Sequence, residues 1–382
     1  MKRIYLDNSL TTKPSEIAIS AMQTYLSDLW GSPTAPHQMG QQLYPAMEEG
    51  YRALYSLIGA KESDTVLFTS SGAEAVNHVM LSVYFDVTTS TGKNQFMTSN
   101  IDEAPAIMSL DRLEKMGCIS KMVQANREGY VSAQMIADQI TPRTALITLS
   151  WANGLTGVMN PVSEIAALCK DRGILFHLDA SHVLGKHYYE LDEVGADFIS
   201  FNGDTLHAPK GTGGLYIKSD VKCSPFILGG VEQGGMRAGT LNVPGLVAMG
   251  QAAREVLEGR DLLCMEVARL RNRLEEGIQA GFPEAVIFFQ EGQRVPHVSC
   301  IGFPGMTNEA LLYRLNRKGV CASIGGSNFQ QIGHILTASE VEESLAHSAI
   351  SFSLSRETTE EEIDRAIEII VENAKQLKNI TE

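Results

Sequence analysis

Short apolar segments, separated by stretches with helical periodicity, are the feature of this sequence that most constrains its fold. They are rich in Val, Ile, Leu and Phe, and they lie at Thr65–Ser70, Gln95–Ile101, Ala145–Ser150, Ile174–Ala180, Phe198–Gly203 and Gly213–Lys218. Nearly continuous apolar runs fit strands that are buried on both faces and joined by helical crossovers. The pattern therefore predicts an α/β fold with a doubly wound, mostly parallel sheet.

The pattern changes near residue 250. Residues 252–281 predict one long amphipathic helix, and a strand at 297–303 and a helix at 308–318 follow it. Thr358 and Glu361 form a T-x-x-E pattern, which predicts a capping box at the start of the last helix. We therefore predict a large domain over residues 15–255 and a smaller α/β domain made of residues 1–14 and 256–382.

The composition excludes several classes of protein. The chain carries 31 Lys and Arg against 45 Asp and Glu, for a net charge of −14, and such an acidic chain repels nucleic-acid phosphates. No apolar run approaches the roughly 20 residues that cross a bilayer, so we expect no membrane span. The six cysteines include no C-x-x-C pair, which argues against a zinc site or a redox pair. Without a secretion signal they indicate reduced thiols and a cytoplasmic location.

Five segments could carry chemistry, although each also has a purely structural explanation. Small residues at 70–75 (SSGAEA) follow a strand and would expose backbone N–H groups to a phosphate, or simply form a tight turn. Asp179 ends a predicted strand, where it could bind a ligand or cap the next helix. Gly-rich loops lie at 201–216 and 234–244. Arg356 could clamp a carboxylate or be a solvated surface charge.

Taken together and in this order, these segments resemble the cysteine desulfurases, which are fold-type I pyridoxal-phosphate enzymes of the class V aminotransferase-like group. The resemblance runs from YLDNSLTT at residue 5 to residue 364. It is carried by GSPTAPHQMG, FTSSGAEA, WANGLTG, HLDASHVLGK, APKGTGGLY, GGMRAGTLNV and AHSAISFSLSR. It implies a large domain with a seven-stranded sheet, a smaller C-terminal domain and pyridoxal 5'-phosphate as cofactor.

The resemblance also assigns roles to several residues. Asp179 matches the aspartate that holds the pyridine nitrogen, and Arg356 matches the arginine that binds the substrate carboxylate. Thr240 matches a threonine that reaches the phosphate of the neighbouring subunit, which implies a homodimer. The remaining matched cofactor contacts are Gly72, Asn153, His182 (where the family usually has glutamine) and Asn202.

Four departures from the family pattern concern the chemistry itself. Thr205 stands at the position of the lysine that forms the Schiff base, and a hydroxyl cannot form an imine. Asp204 replaces a histidine that helps to hold the phosphate, and Ala73 replaces a threonine of the phosphate cradle. Glu103 replaces the histidine that stacks on the ring. We therefore expect no covalent attachment of the cofactor.

The sulfur acceptor is also missing from its expected place. The family cysteine aligns with Gly325 or Gly326, and Cys321 lies a few residues earlier at a predicted strand, which favours a buried apolar thiol. Lys210 matches a second family lysine and is too far along the loop to replace the first.

These losses favour a cysteine desulfurase-like protein without desulfurase activity. It would act as a binding or scaffold partner in sulfur or iron–sulfur metabolism, together with a paralogous desulfurase or an iron–sulfur scaffold protein. Two alternatives stay open. One is an active desulfurase that moves sulfur from L-cysteine to a protein thiol, with Cys321 as acceptor. The other is an enzyme that binds the cofactor non-covalently and uses His182 or His207 as its base.

Overall fold

The computed structural model describes residues 3–326 and 330–381, except for the side chains at 262, 263 and 381. Within this part of the chain, no helix is both long enough and apolar enough to span a bilayer.

Twelve strands are present among the described residues. In chain order they are β1 Ile4–Tyr5, β2 Thr65–Thr69, β3 Gln95–Ser99, β4 Ile119–Val123, β5 Thr144–Ser150, β6 Leu175–Asp179, β7 Phe198–Asn202, β8 Gly213–Ile217, β9 Val286–Ile287, β10 Val298–Gly302, β11 Val320–Cys321 and β12 Ala349–Ser353.

The α-helices connect and cover these strands. In chain order they are α1 Glu16–Ser27, α2 Gln38–Gln41, α3 Tyr44–Ile58, α4 Gly72–Val83, α5 Thr89–Thr91, α6 Ala104–Lys115, α7 Ala133–Ala137, α8 Val162–Arg172, α9 Leu191–Val194, α10 Val243–Glu258, α11 Arg260–Gly281, α12 Asn308–Arg317, α13 Ile332–Ala338, α14 Glu343–Ala346 and α15 Glu360–Thr381.

The central sheet has seven strands in the order β2-β8-β7-β6-β5-β3-β4. Strands β4, β3, β5, β6 and β7 run parallel to one another, whereas β8 pairs antiparallel with both β2 and β7. Every residue of β3, β5 and β8 is buried, as the apolar segments predict. The doubly wound, mostly parallel α/β sheet is confirmed.

A second, smaller set of strands contains the C-terminal part of the chain. Strands β12, β10 and β9 form an antiparallel sheet, and β1 pairs in parallel with β11. The start of the chain therefore packs with its end, as the predicted small domain requires. The boundaries 15–255 and 256–382 stay a prediction.

Two helix predictions need correction. The single helix predicted over 252–281 is wrong, because α10 ends at Glu258, α11 begins at Arg260, and Gly259 breaks the helical course. The capping box is displaced by one residue. Thr359 N–H donates to Glu362 (3.3 Å) and Glu362 N–H donates to Thr359 Oγ1 (3.2 Å), whereas Thr358 Oγ1 accepts from Ser355 N–H (3.0 Å).

Candidate functional site

A cavity of about 240 Å³ lies at the carboxyl edge of the central sheet, where ligands bind in open α/β folds. Asp179 is the last residue of β6, Asn202 is the last residue of β7, and Asn153 follows β5. We call this space the main cavity. The predicted site residues that line it are Ala73, Glu103, Asn153, Asp179, His182, Asn202, Thr205, Gly325 and Gly326.

Asp179 is the acidic group at the base of the main cavity. Its Oδ1 accepts a hydrogen bond from Ser181 N–H (2.9 Å). Loss of contact with water raises the pKa of its carboxyl, and the negative charge of Glu103 adds to that rise. The backbone hydrogen bond from Ser181 and the electrostatic effect of His182 oppose it. The Ser181 hydroxyl is buried and has no hydrogen-bond partner among the described residues, so a polar group of a ligand could reach it.

Glu103 and His182 lie within hydrogen-bond distance of each other in the lining of the main cavity. His182 Nε2 lies 3.1 Å from Glu103 Oε1, and His182 Nδ1 has no partner in the described part of the chain. The ring of His182 lies against Gly154, where an added Cβ would meet it at 2.5 Å. The glycine therefore permits this position of the imidazole. The pairing connects two residues that the sequence analysis treated separately.

Several backbone donors of the predicted phosphate cradle are already used within the chain. Gly72 N–H donates to Asn202 Oδ1 (2.7 Å), and Ser70 N–H donates to Glu74 Oε2 (2.8 Å). Glu74 also forms a bidentate pair with Arg237, at 2.8 and 3.1 Å. The donor at 70 is thus satisfied by a carboxylate and the donor at 72 by an amide oxygen. Of the cradle residues, Ala73 lines the main cavity.

Thr205 lies in the loop that follows β7, and only 2% of its surface is exposed. Its hydroxyl shares its proton between Ser181 O (2.9 Å) and Asn202 O (3.1 Å). The side chain that the resemblance aligns with the Schiff-base lysine is therefore held by backbone carbonyls of two segments.

The other predicted site residues do not line the main cavity. Gly72 is buried at the start of α4, and the carbonyl of Asp204 accepts from Thr12 N–H and Oγ1, each at 2.7 Å. Thr240 is exposed ahead of α10. Arg356 borders a separate small cavity, where its Nη2 donates to Glu255 Oε2 (3.1 Å).

The loop at 325–326 faces the main cavity without a thiol. Gly325 has φ +95°, and a Cβ there would clash with the carbonyl oxygen of Gln330, so this position requires glycine. Gly326 has open space around it. Cys321 lies on β11, borders a different cavity and is half-buried. The structure thus brings the loop to the site and leaves Cys321 outside it.

Sequence reasoning missed two acidic groups of the main cavity and one lysine close to it. Asp7 lines the cavity, and burial raises the pKa of its carboxyl to about 6, against the hydrogen bond from Ser323, which lowers it. Asp102 is buried there and accepts from Ser150 N–H (2.6 Å). Lys186 lies in the HLDASHVLGK segment, where only the aspartate and the histidine were assigned roles. The signal that could have found Lys186 is its place as the last residue of this motif.

Comparison with known proteins identifies the relatives of the chain. Residues 4–366 match the family described as aminotransferase class-V. A cysteine desulfurase of Nostoc sp. is 35% identical over 385 residues, covering 100% of this chain and 95% of that protein. Cysteine desulfurase NifS of Azotobacter vinelandii is 33% identical with the same coverage. A solved structure of a NifS-like protein superposes with a TM-score of 0.90 at 27% identity, covering 97% of this chain and 98% of that one.

These relatives imply pyridoxal phosphate as cofactor, and the residues of the main cavity fit only one end of it. Asp179 suits the protonated ring nitrogen. The phosphate, however, would meet a cavity that is lined by four acidic side chains, those of Asp7, Asp102, Glu103 and Asp179, and by no lysine or arginine among the described residues. The cradle donors at 70 and 72 are taken. The residues present do not fit a dianionic phosphate group.

Proposed function

We propose that this chain, which belongs to the class V aminotransferase family, is a cysteine desulfurase-like protein without desulfurase activity. It keeps the family fold and acts as a binding or scaffold partner in sulfur or iron–sulfur metabolism. The observation that carries the proposal is Thr205, whose hydroxyl is committed to two backbone carbonyls at the position where the family needs an amine.

The charges around the site support the same conclusion. A cavity lined by carboxyl groups and by no lysine or arginine of the described residues gives a phosphate no counter-charge, and a charge in a partly enclosed site is screened less than at the surface. The family reaction also needs a thiolate that attacks the substrate sulfur. Cys321 borders a different cavity from Thr205, so the two positions do not share a site.

An active desulfurase would need an amine and a thiol in this cavity. Lys210 is exposed and borders another cavity, so it does not replace the missing amine. Non-covalent use of the cofactor has one observation in its favour, the free Nδ1 of His182. His207 is less suited to act as a base, because its Nδ1 is bonded to Lys13 O (2.8 Å) and it does not line the main cavity.

The test is a combined binding and activity measurement on the purified chain. Pyridoxal phosphate is added, the visible absorption is recorded, and borohydride is used to trap any lysine adduct for peptide mass spectrometry. An authentic cysteine desulfurase treated in parallel is the positive control. We expect no visible band, no modified lysine and no alanine from L-cysteine. A trapped lysine, or alanine formation, would overturn the proposal.

The partner role has its own measurement. Light scattering on the pure chain is expected to give twice the 41.6 kDa of one chain, as the match at Thr240 implies for a homodimer. Mixing with a cysteine desulfurase or an iron–sulfur scaffold protein from the same cell should then give a larger species. If the chain forms no larger species with any of these proteins, the scaffold role is rejected. The lack of desulfurase activity is a separate claim that this result does not affect.

A further inference from the structure

A second, much smaller cavity lies behind Thr205. Its volume is about 30 Å³, and its polar lining includes Lys186, His297, His207 and Arg356. Thr205 borders both cavities, so the two spaces adjoin at this residue. We call this space the rear cavity. The proposed function gives it no role.

The rear cavity contains donors without partners. Lys186 Nζ is buried and forms no hydrogen bond within the described part of the chain. His297 is 2% exposed, and neither of its ring nitrogens has a partner among the described residues. A buried polar group that makes no hydrogen bond costs about 1–3 kcal/mol. Two such groups at one small space indicate a ligand that accepts from both.

The charge of the rear cavity favours an anion as that ligand. No carboxylate of the described residues forms an ion pair with Lys186. The charge of Asp204 acts on the ammonium group from beyond ion-pair distance, and a buried ammonium ion needs a counter-charge in contact with it. Arg356 is already paired with Glu255, at 3.1 Å. His207 Nδ1–H donates to Lys13 O (2.8 Å). The unsatisfied positive charge therefore belongs to Lys186.

The size of the rear cavity restricts the anion further. Its volume of about 30 Å³ is one eighth of that of the main cavity, so the space suits a small ion. We propose that the rear cavity is a binding site for one monoatomic-sized monoanion, chloride or hydrosulfide, held by Lys186 Nζ and His297. The two ions share charge and size and differ in their source.

Bromide tests the site directly, because it is a heavier halide whose anomalous scattering locates it. Crystals grown without halide are soaked in sodium bromide. We expect an anomalous peak in the rear cavity beside Lys186 Nζ. The peak should vanish in Lys186→Met and persist in Lys210→Met, a matched change at an exposed lysine. A wild-type crystal without a peak at this place would overturn the proposal, and so would a peak that persists in Lys186→Met.

Titration calorimetry in gluconate buffer then measures chloride and hydrosulfide separately. We expect Lys186→Met to weaken the binding at least about tenfold and Lys210→Met to leave it unchanged. His297→Leu is a second variant, expected to weaken binding in the same direction if Lys186→Met fails to fold. The ion that binds more tightly, chloride or hydrosulfide, is then identified as the ligand of the site. Absence of heat from both ions with wild-type protein rejects the site. The cofactor and activity measurements do not depend on this result, so the two proposals fail independently.

Discussion

The resemblance aligns Thr205 with a reactive lysine, and the contacts of Thr205 are those of a structural residue. The hydroxyl holds Ser181 O and Asn202 O together beneath the main cavity. Replacing Thr205 by valine keeps the shape and leaves both carbonyls without this donor. We expect Thr205→Val to lower the free energy of unfolding by about 1–2 kcal/mol in urea titrations.

The matched control is Thr205→Ser, which retains the donor and loses one methyl group. It should cost less than the valine variant. A valine variant as stable as the wild type would mean that these hydrogen bonds contribute nothing, and Thr205 would lose its structural explanation.

Lys186 should make the free energy of unfolding depend on pH. Burial lowers the pKa of its ammonium group from 10.5 to about 8, and the charge of Asp204 opposes this shift. Between these two pH values the unfolded chain binds the proton more tightly than the folded chain does. Stability should therefore rise as the pH increases from about 8 to 10.5, by an amount of the order of 1–3 kcal/mol.

The measurement is urea unfolding across this pH range in a buffer free of small anions, since a bound halide would raise the pKa again. Lys186→Met should remove the rise, and Lys210→Met should retain it. If the two variants show equal pH profiles, Lys186 is not the group that titrates.

Among the helices, α15 has a start that can be tested by a single change. The Thr359 hydroxyl accepts from Glu362 N–H, and the Glu362 carboxylate accepts from Thr359 N–H. Thr359→Ala should lower the free energy of unfolding by about 1 kcal/mol, because the first turn loses an acceptor. Thr359→Ser keeps the acceptor and should be close to wild type. Equal losses in both variants would show that the cap does not hold the helix.

The helices and strands also show what sequence reasoning could reach. The strands of the central sheet were predictable, because burial on both faces leaves continuous apolar runs such as ALITLS in β5. The break at Gly259 was not, since amphipathic periodicity continues across it. The cap moved from Thr358 to Thr359 because T-T-E-E-E permits both registers, and only the backbone selects one.

Within the site, sequence placed the residues that follow strands, because topology brings the ends of parallel strands together. It could not supply the pairs that join distant segments. Glu103 with His182, Gly72 with Asn202, and Arg356 with Glu255 depend on side-chain directions, which no local pattern contains.

At the scale of the whole molecule, three distant segments meet at Glu255. The Ser15 hydroxyl caps α1 through Ala18 N–H (3.0 Å) and donates to Glu255 Oε2 (2.6 Å), and Arg356 Nη2 donates to the same oxygen. Since α1 follows the N-terminal segment, Glu255 lies on α10 and Arg356 follows β12, this cluster links the beginning, the middle and the end of the chain.

A double-mutant cycle tests whether the contact between Glu255 and Arg356 contributes to the free energy of unfolding. Glu255 and Arg356 have side chains only 14% and 16% exposed, so removing one partner leaves the other charge poorly solvated. We expect Glu255→Gln and Arg356→Met each to destabilise the chain, and the double variant to lose less than the two single losses combined. The coupling free energy in urea unfolding should be about 1–3 kcal/mol. Strict additivity would show that the two side chains act separately, and that other contacts hold the ends of the chain to its middle.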